Sequence, residues 1–206
     1  MIANPKIYTA IKPLISYLTL FNPLSNEFKT YLEEHCQQVN VRKNKYILSP
    51  IDNNNSIFFI VKGVARAFVK EDKKDISTRF SFENEFIEAI RNPNEVDIHS
   101  IEYLQAIEDC ELIRIPYQNN DFIYSHFPES GIIARKLLTL FYHASSERSI
   151  LSRIPSALGR YNRLLSSSID ISRIPQRYLA SYLGIRLETL SRIRNKAIDN
   201  RILQMA

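Results

Sequence analysis

"IPQRYLASYLGIRLETLSRIRNK", residues 174–196, contains two apolar helical patterns that meet at a single glycine. The chain has only four glycines, so one at such a junction marks a backbone geometry that other residues adopt poorly. Leu179, Ala180 and Leu183 give the first pattern a buried side, and the small Ala180 lets a second helix approach closely. Gly184 supplies the left-handed residue of a tight turn, and Ile185 fills the angle between the helices. In the second pattern Leu190, Ile193 and Ala197 fall on one side, while Glu188, Ser191, Arg192 and Asn195 fall on the opposite one. Seven positions at fixed offsets (Leu179, Ala180, Leu183, Gly184, Ile185, Leu190 and Ile193) therefore meet the requirements of a helix-turn-helix unit with one polar face turned outward. A helical hairpin of another purpose meets the same offsets.

The charge around this segment bears on that choice. Residues 153–206 hold ten Arg or Lys against three acidic residues, a net of +7, whereas residues 1–152 hold 17 basic and 19 acidic residues, a net of −2. A basic C-terminal module on a nearly neutral partner suits a polyanionic ligand, and a free helix with a polar face suits the DNA major groove. A basic tail is also an ordinary solvated surface.

Upstream the chain changes character twice. The first 35 residues hold helical segments, including "LSNEFKTYLEEHC", where Ser25 is placed to cap and Phe28, Leu32 and Cys36 form a stripe. From Val39 to about Pro116, short apolar, aromatic or β-branched runs alternate with polar turns such as "DNNNS" and "KEDKKD", the pattern of an antiparallel β domain, and Gly63 sits where one long apolar run bends. After Tyr117 a short "NNDFIYSHF" piece precedes "PESGIIARKLLTLFYHASSERSILSRI". Pro128 and Glu129 suit a helix start, and Ile133, Leu137, Leu140, Ala144, Glu147 and Leu151 recur with coiled-coil spacing. That stripe fits either a dimer seam or a helix packed on its own β domain; Glu147 favours a partly wet two-fold interface. The expected fold class is α+β, with an antiparallel β domain over 1–127, a dimerisation helix over 128–153 and a helix-turn-helix domain over 154–206.

Composition and motifs narrow the chemistry. The chain of 206 residues is 45% apolar and 24% charged, ordinary for a globular protein. No run of about 18 apolar residues exists to span a membrane, and the N-terminus lacks the unbroken apolar stretch of a signal peptide, so a cytoplasmic protein without a membrane partner is expected. Cys36 and Cys110 are far apart and unaccompanied, which points to two reduced, buried thiols rather than a disulfide framework or a CxxC metal site. His35, His99, His126 and His143 are scattered, so the His-x-His pair of a cupin-like metal enzyme is missing. With no Gly-rich phosphate loop and no nucleophile arrangement, no catalytic residue, metal site or cofactor is expected, and the chain is read as a non-enzyme.

At these residues the chain resembles the Crp-Fnr superfamily of bacterial transcription regulators, over nearly its whole length. "LGIRLETLSRIRNK" is similar to that family's recognition helix, with "ETLSR" matching its E-T-x-x-R core; "IFFIVKGVARAFV" resembles its β-roll strand pair with a central glycine, and the helix from Pro128 its dimerisation helix. "SALGRYNRLL" with "RIPQRYLASYLGI" looks most like the ligand-orphan regulators common in the Bacteroidetes. The resemblance implies a homodimer on a near-palindromic operator in double-stranded DNA, contact with RNA polymerase, and a β-roll that takes a small-molecule effector of unknown identity, if any. Glu188 and Arg192 occupy base-reading positions, with Leu187, Ser191 and Asn195 beside them: Arg192 can donate a bidentate pair to guanine, and Glu188 can accept from cytosine N4 while orienting Arg192. Gln176 and Arg177, at the start of the first helix, and Arg186 and Lys196, flanking the second, are expected to meet phosphates.

Departures from the family pattern matter too. Leu187 stands where cyclic-nucleotide regulators carry a further Arg, and Arg186 replaces the usual Ser or Thr cap. Relatives that bind cyclic AMP use a Gly-Glu-Leu turn followed by an Arg-Ser or Arg-Thr pair at the phosphate. Here Glu88 and Ala89 replace the Gly-Glu, and Ser100 and Ile101 replace the Arg pair, so a phosphate would face Ile101 with no guanidinium except a substitute from Arg91. Cyclic AMP is therefore not expected as the effector. The alternative reading is a nucleotide- or small-molecule-binding regulatory β-roll protein that does not bind DNA.

Overall fold

The computed structural model describes residues 5–90 and 99–205, with side chains over 10–90 and 99–196. Arg91 lies outside the described residues, as does the side chain of Ala197. In chain order come helices α1 (Pro5–Thr19) and α2 (Asn26–His35), strands β1 (Gln37–Val41), β2 (Tyr46–Leu48), β3 (Ser56–Lys62), β4 (Ala65–Glu71), β5 (Lys74–Ser81), β6 (Phe86–Ile87), β7 (Tyr103–Ala106) and β8 (Cys110–Pro116), then α3 (Asn120–His126), α4 (Pro128–Arg153), α5 (Ala157–Leu165), α6 (Gln176–Tyr182) and α7 (Leu187–Met205). The fold is α+β, as expected. Two compact units emerge: the first takes the chain up to Val69 and from Arg79 to Leu140, the second takes Lys70–Thr78 and the chain from Phe141 on. The division falls inside α4, and the second unit includes the tip of the β4–β5 hairpin.

Among the described residues the strands form two four-stranded sheets, ordered β1-β8-β3-β6 and β2-β7-β4-β5. Period-two alternation sets their layers. In β3, Phe58 and Ile60 join Leu112 of β8 and Ala65, Ala67 and Leu104 in one core, whereas the intervening Phe59 and Ile113 join a second core with the helices. Ile11, Leu14 and Leu18 of α1, Phe28 and Leu32 of α2, and Cys36, Phe127 and Ile133 complete that second core. Ser25 caps α2 by accepting from the Phe28 N–H at 3.2 Å, and the Ser25 N–H in turn donates to Glu129 Oε1 at 3.0 Å. The acidic residue at the start of α4 thus ties two helix starts together.

The apolar run around Gly63 does not form one hairpin. β3 and β4 lie in different sheets, and the chain changes sheet at Gly63, where φ is +93°. A Cβ there would come within 2.5 Å of the Asp109 carbonyl oxygen and 2.9 Å of Cys110 Sγ. "KEDKKD" turns as expected, with Asp72 and Lys73 both at positive φ (48° and 62°), the geometry of a type I′ hairpin turn.

The heptad stripe on α4 reads differently from the sequence expectation. Ile133 is buried in the helix-facing core and Leu137 packs against it, Leu151 is buried within the chain, and Glu147 accepts from Arg163 Nη2 of α5 at 2.6 Å. Ile133, Leu137, Glu147 and Leu151 thus make contacts within the chain, while of the expected positions Leu140 and Ala144 are exposed. The apolar side chains that α4 leaves to solvent include Leu138 and Tyr142, 64% and 76% exposed, with Phe141 beside them. Part of the expected stripe therefore serves the chain's own core, and exposed apolar side chains lie both on it, at Leu140, and beside it.

Two predictions follow from this packing. Gly63→Ala combines a left-handed backbone with a clash against a carbonyl, and should lower unfolding free energy in a urea titration by at least about 2 kcal/mol. Burial pushes the Cys36 thiol up to about 12, and burial together with the nearby carboxylates of Glu108, Glu83 and Asp109 pushes Cys110 up to about 11. Both are thiols rather than thiolates at pH 8, so neither should react with a thiol-exchange reagent there until denaturant is added.

Candidate nucleic-acid interface

The second unit is built around the turn between α6 and α7. Leu179, Ala180, Leu183 and Leu190 are buried there, with Ile185 and Ile193 partly so. The last turn of α6 closes as a Schellman cap: the Ile185 N–H reaches the Ala180 carbonyl at 3.0 Å, the Gly184 N–H reaches Ser181 at 3.1 Å, and Gly184 adopts φ +62°. No atom lies within 4 Å of where a Cβ on Gly184 would stand. The glycine is there for its backbone angle, not for space. The Arg186 carbonyl accepts from the Leu190 N–H at 3.1 Å and so opens α7, which has no Ser or Thr cap.

The outward face of α7 carries Leu187, Glu188, Ser191, Arg192 and Asn195, all exposed, with Lys196 next to them. Gln176, Arg177 and Arg186 are exposed as well. Glu188 and Arg192 make no hydrogen bond or ion pair with each other among the described residues, so the orienting pair expected one turn apart is not preformed. Arg177 is steadied instead: its Nη2 donates to the Tyr178 hydroxyl at 2.6 Å and its guanidinium sits 4.5 Å from that ring's centre.

Two contributions to this unit had no local signal in the sequence. Arg160 of α5, counted above among the basic residues, donates from Nε to the Leu183 carbonyl at 2.7 Å and from Nη1 to the Ile154 and Pro155 carbonyls at 2.8 and 3.2 Å. It is a clamp on the α6–α7 turn rather than a surface charge. Ser181 of α6 accepts from the Ser77 N–H at 2.9 Å and donates to the Asp75 carbonyl at 2.6 Å, so one hydroxyl meets both backbone groups of β5. Arg163 is paired with Glu147. Excess charge in the sequence therefore overstates what is available to an anion, while Arg186, Arg192 and Lys196 keep exposed side chains.

In the first unit, the segments aligned with a cyclic-phosphate site also depart from expectation. Ile101 is 75% exposed and does not face the interior, whereas its neighbours Ser100 and Glu102 are buried. Glu88 accepts from the Tyr117 hydroxyl at 2.7 Å, and the Ala89 carbonyl accepts from Asn54 Nδ2 at 3.2 Å. Among the described residues no group of three His, Cys, Asp or Glu is arranged to hold a metal, and no helix is long and apolar enough to cross a membrane.

No protein-family model and no curated protein matches the chain. Among solved structures it is similar to a chain from Eubacterium rectale assigned to the Crp/Fnr family of transcriptional regulators, at TM-score 0.68 and 16% identity over 89% of this chain and 88% of that one. It is similar to FixK2 from Bradyrhizobium japonicum at TM-score 0.66 and 17% identity, over 81% and 86% of the two chains. It is also similar to the c-di-GMP-responsive global regulator CLP of Xanthomonas campestris, at TM-score 0.66 and 15% identity over 84% and 91%. At such identities the likeness shows the fold, which is that of Crp/Fnr-type chains with a cyclic-nucleotide-binding β-roll.

The turn yields its own test. Gly184→Ala should lose about 1 kcal/mol through backbone strain alone, and Gly184→Asn less, since asparagine tolerates the left-handed region. Thermal melting of the two variants beside Gly63→Ala should therefore rank Gly63→Ala as the most damaging.

Proposed function

We propose that this chain is a cytoplasmic DNA-binding transcription regulator that acts as a homodimer on a near-palindromic operator. The observation that carries the reading is the α6–α7 turn: a Schellman cap fixes the angle between two helices while, among the described residues, the exposed Glu188, Ser191, Arg192 and Asn195 of the second make no side-chain hydrogen bond or ion pair. Helix α7 enters the major groove, Arg192 reads guanine, Glu188 and Asn195 serve adjoining base edges, and Leu187 meets a thymine methyl. Arg177, Arg186, Lys196 and Gln176 hold phosphates and set register. In this reading residues 1–127 are an effector-type domain, 128–153 the dimerisation helix and 154–206 the DNA-binding domain.

The dimer seam runs through the exposed stripe of α4, with Leu138, Phe141, Tyr142 and Ser145 at its centre, and it sets the two recognition helices about 34 Å apart, one DNA turn. Replacing Leu138 and Tyr142 together by Glu should give monomers in analytical ultracentrifugation with the melting temperature of the β-roll little changed. Ile133→Ala should do the reverse, destabilising the fold by about 2–5 kcal/mol without altering subunit number.

Selection of bound sites from random duplex DNA tests function and symmetry together. A two-fold footprint supports the reading; no enrichment at any site sinks it and leaves a regulatory β-roll protein without DNA binding. On the selected site Arg192→Ala should lose about 1–3 kcal/mol of discrimination at one symmetric base position. Arg177→Ala should weaken all sequences alike and reduce the salt slope by about 1. Uniform loss in both variants would refute the assignment of Arg192.

A further inference from the structure

The β-roll contains a fully buried carboxylate with an unusual set of partners. Glu102, 0% exposed, accepts from Arg79 Nη1 at 3.2 Å on Oε1 and 3.1 Å on Oε2, and from the Ile90 backbone N–H at 2.9 Å on Oε2. Its own N–H donates to Ser100 Oγ at 3.1 Å, which fixes the start of β7 beneath it. The Arg79 side chain is itself only 18% exposed. A guanidinium and a backbone amide that converge on one point are the donors with which proteins hold phosphates and carboxylates. Here that point is filled by a carboxylate of the same chain.

We propose that Glu102 is a tethered ligand: it occupies an anion-binding position formed by Arg79 and the Ile90 amide, in place of an anionic effector. The proposal rests on the reading of this unit as an effector-type domain and deepens it. An incoming phosphate would have to sit beside a buried carboxylate or displace it. Displacement is opposed because a group attached to the backbone stands at a local concentration that a millimolar solute does not match. The exclusion of cyclic AMP thus comes from Glu102, which takes the cation, rather than from Ile101, which points to solvent.

Chemical rescue tests this without DNA, so its failure and failure of the operator selection are separate results. Glu102→Ala opens a cavity the size of the lost carboxylate arm and leaves Arg79 without its counter-ion. The melting temperature of that variant should fall, and sodium acetate at 10–100 mM, compared with sodium chloride of equal ionic strength, should raise it by several degrees on the order of what binding a millimolar ligand gives. Wild type should show no acetate-specific shift. The double variant Arg79→Met/Glu102→Ala, which lacks the Arg79 guanidinium, should show none either, and neither should Glu102→Gln, whose side chain refills the space. If Glu102→Ala does not fold in chloride buffer, refolding yield with and without acetate becomes the readout. Rescue by acetate that depends on Arg79 supports the tethered ligand. Absence of rescue, rescue that survives loss of Arg79, or an equal acetate shift in wild type overturns it, as does calorimetric binding of cyclic AMP to wild type in the micromolar range.

Discussion

The corner at Gly63 and Val64 is the constraint on which the β-roll depends. Two crossings between the sheets, β3 to β4 and β7 to β8, are nested there. The Gly63 N–H donates to Glu83 Oε1 at 2.8 Å, and the Val64 carbonyl accepts from the Ile107 N–H at 2.9 Å and from Cys110 Sγ at 3.4 Å. One turn thereby seats the other. The space is filled by the Asp109 carbonyl and the Cys110 side chain, which is why only a residue with no Cβ and free access to positive φ fits. Once the corner is set, β4 must run through the interior, and its Ala65, Ala67 and Phe68 are essentially without exposure. Arg66 on the same strand is 1% exposed, and it is accommodated because its Nε donates to Gln105 Oε1 at 2.9 Å and its guanidinium lies 4.0 Å above the Phe68 ring.

The second unit solves a different problem: a short helix of seven residues, α6, has to hold a fixed angle to α7. Helices this short gain little from internal hydrogen bonds and are made stable by packing and caps. Leu179 and Leu190 supply the packing, each with no exposure, and the Schellman bonds close the carbonyl end. Arg160 then takes the Leu183 carbonyl, which that cap leaves over, and links it to the end of α4 through Ile154. A cation at a helix C-terminus interacts favourably with the dipole as well. Arg160 is therefore a structural part of the turn, and a positive residue there says little about an external anion.

Much of this was legible in the sequence, for reasons that differ by element. Ser25 as a cap, the α6–α7 offsets and the alternating runs of β3 and β8 are local patterns, and local patterns are what periodicity and capping rules read. On α4, periodicity identifies an apolar face without saying whether the chain's own core or a partner covers it; Ile133 and Leu137 meet the core, while Leu140 and Ala144 stay exposed. Gly63 was legible as a bend but not as a change of sheet, since a strand run looks the same whichever sheet receives it. Glu102 and Ser181 were invisible: their partners, Arg79, Ile90, Asp75 and Ser77, are between 12 and 106 residues away.

Strand β5 shows how such long-range bonds change the meaning of a fold. It lies at the edge of its sheet, beyond β4 in the order β2-β7-β4-β5, where unpaired backbone groups are ordinarily left to water or to another strand. In this chain a single hydroxyl, that of Ser181, both donates to and accepts from that edge within three residues, and two residues further on Arg79 is fixed by a buried carboxylate. Both points of β5 are thus satisfied by side chains from elsewhere in the chain. In a domain that answers to a soluble anion, the cation at the site must be unsatisfied until the ligand arrives, so that binding energy is available to move something. Glu102 removes that unsatisfied state. With Arg79 already paired to Glu102, a soluble anion would find that charge met from within the chain.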